Sequence, residues 1–187
     1  MFNQYEYPRY YGYNKEQYLQ GHVKQMNLED MALVTKQMKE SVCKIYGSNN
    51  KTGTGFFCII QNLKEWNSPN LNVLMTNNHV LGEEDIRPNR KIKISLNNGS
   101  KNLEFVIDNS RKTFTSIPYD ATIIKMRQND GIQSDSFLEI DKDIYKVNFR
   151  EILINKWIYL LHYPEGKEIY KSEEIIKNNF NFCGLLS

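Results

Sequence analysis

Between residues 42 and 126 the sequence is written in short apolar runs. Each is cut off by asparagine, glycine or proline before it reaches helical length. The runs begin at Val42, Phe56, Val73, Lys91, Leu103 and Ala121, which gives six short strands with no helical pattern among them. Residues 42–46 and 56–60 flank a loop at 47–55 rich in Gly, Ser, Asn and Thr, so they read as a hairpin. Residues 62–72, with Pro69 and several asparagines, read as a surface loop. Residues 91–96 alternate strictly, Asn97, Asn98 and Gly99 make a turn, and 103–107 return. Six antiparallel strands can close into a small barrel, which removes the edges that an open sheet exposes. The expectation is an all-β unit, a first β-barrel over residues 41–130.

On either side of this unit the pattern changes. Asn27 stands where a helix N-cap would, with Asp30 three residues on, and Leu28, Met31, Ala32, Thr35 and Met38 recur at helical spacing. A short helix over 27–40 follows, its apolar stripe expected to pack on the barrel. Residues 1–26 hold six of the twelve tyrosines among polar residues, a composition that cannot close a core and predicts a disordered tail or a short docking segment. Residues 131–150 are polar and acidic and read as a linker. Strand signals resume at 157–163, 167–170 and 180–186, about half of a second barrel over 151–187.

Composition excludes more than it assigns. Of the 187 residues 40% are apolar, enough for a core, and 24 basic against 22 acidic side chains leave a charge of +2. That balance argues against nucleic acid or an anionic membrane as the main partner. No signal core or membrane-length apolar run is present, which fits a cytoplasmic protein. Cys43, Cys58 and Cys183 are odd in number, so buried free thiols are expected at Cys43 and Cys58. A Cys43–Cys58 bridge across the hairpin is the alternative in an oxidising compartment. No metal-ligand spacing, phosphate-binding glycine loop or other cofactor motif appears.

The chemistry concentrates at residues 74–81, Leu-Met-Thr-Asn-Asn-His-Val-Leu, where an apolar run stops at two asparagines and delivers His79 at a strand end. Forty-one residues later Asp120 stands immediately before another β-branched run, Ala-Thr-Ile-Ile. A histidine and an aspartate at two strand mouths suit a general base and the carboxylate that orients it.

These blocks resemble the trypsin-like (chymotrypsin-fold) serine proteases, in particular the intracellular trypsin-like peptidase domains of unicellular eukaryotes. Gly53-Thr54-Gly55-Phe56-Phe57 is similar to the family's Gly-x-Gly-Phe strand. Residues 75–80 resemble its Leu-Thr-x-x-His-Val block, Asp120 to Ile124 its Asp-hydrophobic strand, and Tyr163-Pro164-Glu165-Gly166 its turn early in the second barrel. The resemblance implies a double β-barrel, the first complete and the second partial, with His79 as base, Asp120 as its partner, and a protein or peptide substrate. It also implies a Gly-x-Ser-Gly nucleophile, which is not in these residues: Ser134, Ser136, Ser172 and Ser187 follow Asp120, and none precedes a glycine. Cys183, followed by Gly184, comes early for a nucleophile and reads as a strand cysteine. The expectation is an endopeptidase domain without its serine, inactive as it stands, or a non-catalytic module of protease fold that binds partners.

Overall fold

The computed structural model describes residues 27–63, 68–141, 157–164 and 167–175. The tyrosine-rich segment, residues 142–150 of the expected linker, the strand expected at 180–186, Cys183 and Ser187 lie outside the described residues.

The chain enters through helix α1 (Leu28–Glu40), capped by Asn27, whose Oδ1 accepts the Asp30 N–H at 2.7 Å. Its buried face overlaps the expected stripe only at Met38. Val34 is buried and Met38 packs against Val42, Tyr163 and Ile169, whereas Leu28 and Met31 are exposed. The reason is the exit of the helix: buried Ser41 leads directly into strand β1 (Val42–Tyr46), and Val34 and Met38 share its side of the helix.

Strands β2 (Thr52–Leu63) and β3 (Ser68–Thr76) form a hairpin longer than the sequence predicts, paired as far as Leu63↔Ser68. The loop expected at 47–55 shrinks to residues 47–51, and most of the surface loop expected at 62–72 is strand. From residue 70 to 73 asparagine alternates with buried Leu71 and Val73, and this period of two outweighs the poor strand propensity of asparagine. Strands β4 (Lys91–Leu96), β5 (Lys101–Val106), β6 (Thr113–Ser116) and β7 (Ala121–Lys125) follow. The four residues of β6 were not predicted as a strand, being too short and too exposed at Phe114 to carry a pattern.

The sheet order is β5-β4-β1-β2-β3-β7-β6. Its two ends, β5 and β6, are consecutive in sequence, so the sheet curls back on itself. The ladder to β4 runs on to Ile107, which donates to Arg90, and the ladder to β7 begins at Lys112, which accepts from Lys125. Cys43, Ile45, Phe57, Leu74, Ile94, Phe105 and Ile124, drawn from six strands, form one buried cluster inside the curl. Each such side chain contributes about 1.5–3 kcal/mol when fully buried. Arg111 bridges the gap between the two ends: its guanidinium donates to the carbonyls of Val106 and Lys125 and to both Asp130 oxygens at 2.7 and 2.8 Å.

Beyond β7 part of the expected linker packs on the barrel-like sheet. Ile132 and Phe137 join the central cluster, and β8 (Leu138–Glu139) pairs in parallel with β2 beyond the end of β1. Cys43 pairs with Gly55, and Cys58 lies an odd number of residues further along β2, so the two thiols point to opposite faces. Both are free and buried, and the bridge held open by the sequence does not form. Burial pushes the Cys58 thiol up to about 12.

Strands β9 (Trp157–His162) and β10 (Tyr170–Ile175) make a separate antiparallel pair. It is fastened to the first unit through Tyr163 N–H to Thr54 Oγ1 and Ile169 N–H to Asn98 Oδ1, both at 2.9 Å. No helix among the described residues is long and apolar enough to cross a membrane.

Candidate functional site

Strand β3 ends at Thr76, and the next residues form a tight turn in which the Asn77 carbonyl accepts from the N–H groups of Val80 and Leu81. Val80 and Leu81 are buried and anchor the turn, while the side chain of His79 is 58% exposed. Two glycines make room for this anchor. A Cβ on Gly53 would meet Val80 Cγ2 at 2.4 Å, and one on Gly47 would meet the Val80 carbonyl oxygen at 2.2 Å. The glycine of the Gly-Thr-Gly run therefore has a local steric reason.

Asp120 closes the turn before β7, its N–H donating to the Ile117 carbonyl at 3.0 Å. Its φ of 43° lies in the left-handed region, which aspartate tolerates better than most residues. Strands β3 and β7 are neighbours with Thr76 opposite Thr122, so the turn after the first abuts the turn before the second. Forty-one residues of separation thus collapse to contact. His79 Nδ1 lies 2.7 Å from Asp120 Oδ2, and the His79 backbone N–H donates to Oδ1 at 2.9 Å. An ionised carboxylate only accepts, so this contact favours the tautomer with the ring proton on Nδ1, which leaves Nε2 as the free ring nitrogen. Nε2 has no hydrogen-bond partner among the described residues.

The turn is braced from beneath by groups that the sequence reading treated as strand breakers or ignored. Asn77 Nδ2 donates to Asp120 Oδ2 at 3.1 Å. Asn78 Nδ2 donates to Thr115 Oγ1 at 2.7 Å, Thr115 and Thr122 share a hydroxyl hydrogen bond at 2.6 Å, and Thr122 donates to the Leu81 carbonyl at 2.7 Å. The only signal in the sequence was two consecutive asparagines beside the histidine. Ile117 and Tyr119, both more than 80% exposed, place an apolar rim on the Asp120 turn.

The other histidine and the serines that follow Asp120 in the described residues lie elsewhere. His162 is buried on β9, Ser136 is buried, and Ser134 is exposed in the same short 3-10 turn, which Lys36 tethers to α1 through Asp135. Among the described residues no group of three or more His, Cys, Asp or Glu side chains could hold a metal ion. No protein-family model matches the chain, and no curated protein sequence matches it.

Proposed function

We propose that this chain carries the base half of a trypsin-like serine endopeptidase site, on a first barrel of the chymotrypsin type followed by the start of a second. The observation that carries this reading is the His79–Asp120 pair, with the carboxylate on Nδ1 and on the backbone N–H of a histidine whose side chain is 58% exposed. That is what a general base needs in order to take a proton from a hydroxyl and return it to a leaving amine. The order of the blocks, Gly-x-Gly strand, histidine turn, aspartate turn and a further strand pair, supports the same reading. The substrate is a polypeptide, and the exposed Ile117 and Tyr119 offer apolar contact beside the base.

Within these residues no serine follows the nucleophile pattern, so hydrolysis needs a serine supplied from outside them. Loss of a triad nucleophile costs about a millionfold in turnover. A second reading, a protease-fold module that binds polypeptides without cleaving them, is favoured by that same observation. Labelling with a fluorophosphonate, which traps activated serines, separates the two. The 187-residue chain should not label, whereas the chain continued downstream in its reading frame should label at one serine, and His79→Ala should abolish the reaction. A folded, extended chain that fails to label, or labels equally with His79→Ala, overturns the hydrolase reading.

A further inference from the structure

Three donors approach the Asp120 carboxylate, and only two of them belong to His79. The third is the side-chain amide of Asn77, 3.1 Å from Oδ2 and 3.3 Å from the Asp120 carbonyl oxygen. Asn77 is only 7% exposed, so its amide has been withdrawn from water and depends on this acceptor. The same residue shapes the histidine turn, because its carbonyl accepts from Val80 and Leu81. Asn77 therefore holds both halves of the pair, one through its main chain and the other through its side chain.

We propose that Asn77 is a positioning residue for the His79–Asp120 pair, its Nδ2–H fixing the plane of the Asp120 carboxylate so that Oδ2 stays on the Nδ1–H of His79. A carboxylate on an exposed turn can rotate about its terminal torsion, which is broad and weakly staggered. Hydrogen bonds on both oxygens remove that freedom. His79 is the one titratable side chain hydrogen-bonded to Asp120 among the described residues, so a neutral amide supplies the remaining constraint without adding charge. All these groups come from the turns at the adjoining ends of β3 and β7, which assemble the pair without help from β9 or β10. The catalytic meaning of the inference rests on the endopeptidase reading, but its geometry does not.

The test uses the 187-residue chain labelled for nuclear magnetic resonance. The wild type should show a scalar coupling from Asn77 Nδ2 to Asp120 Cγ through the hydrogen bond, together with a low-field resonance for the His79 Nδ1 proton. Asn77→Leu keeps the branching at Cγ while removing the donor without adding charge, and Asn77→Asp keeps the shape but puts a carboxylate in place of the donor. In both, the Nδ1 proton should exchange with water at least ~10-fold faster, as expected for losing a hydrogen bond to a charged group, while the backbone amides of β1 to β5 keep their shifts. An unchanged exchange rate in both variants, or no coupling in the wild type, overturns the proposal. If neither variant folds, the wild-type coupling decides. None of these readouts needs a nucleophile, so failure here and failure of serine labelling are separate results.

Discussion

At the scale of single residues the site is set by what lies beneath His79 rather than beside it. Val80 locks the turn into the barrel, and Gly47 and Gly53 are the positions that let it approach. The clash in Gly47→Ala is with a backbone oxygen, which cannot swing aside as a side chain can. This substitution should destabilise the fold by about 1–3 kcal/mol, the range for overpacking a filled site, and shift the 77–81 turn. Chemical denaturation measures the first effect, and the amide resonances of residues 77–81 report the second. A Gly47→Ala chain with wild-type stability and unmoved resonances would show that the loop yields instead. The histidine and the aspartate stood out in the sequence as candidates, because one closes an apolar run and the other opens one. Asn77, Asn78, Thr115 and Thr122 did not, since their roles depend on which strands become neighbours.

At the scale of elements, alternation was the informative signal and length the weak one. The strands at 42–46 and 91–96 emerge as predicted, because buried and exposed positions alternate or the run is bounded by turns. The β2–β3 hairpin was underestimated because asparagines hid a strand period, and β6 was missed because four residues carry too little pattern. The helix was placed correctly, but its packed face is shifted from the expected stripe toward Val34 and shares only Met38 with it, since its rotation is fixed by the exit at Ser41. The segment between β5 and β6 is held by charge. Arg127 forks onto Asp108, and its guanidinium holds the Asp108 carboxyl well below the usual carboxylate range, helped by Ser110. A carboxyl held low contributes stability above its ordinary value, about 4, which is lost as pH falls through the lower folded value. Thermal stability should therefore fall as pH drops below about 4, and Asp108→Asn should flatten that dependence. The pair is half-exposed, so the effect should be modest, and identical pH profiles for the two proteins would contradict it.

At the scale of the whole molecule, a curled sheet with a continuous apolar interior presents two turns at neighbouring strand ends and places a histidine on one and an aspartate on the other. The all-β class could be read from the six runs; the sheet curls as far as a half-barrel, and its end strands β5 and β6 do not pair. Attachment of the second strand pair could not, because it depends on Thr54 and Asn98, polar residues with no periodic signature. On the proposed reading, Asp120 holds His79 in the tautomer that leaves Nε2 free to take a proton. The most direct measurement is the pair of ring 15N shifts of His79 in the 187-residue chain, at a pH where the imidazole is neutral, in the wild type and in Asp120→Asn. The account predicts a proton on Nδ1 and a bare Nε2 in the wild type, moving to the opposite tautomer in Asp120→Asn, whose amide donates to Nδ1. A wild-type ring protonated on Nε2, or a tautomer indifferent to Asp120→Asn, would contradict it.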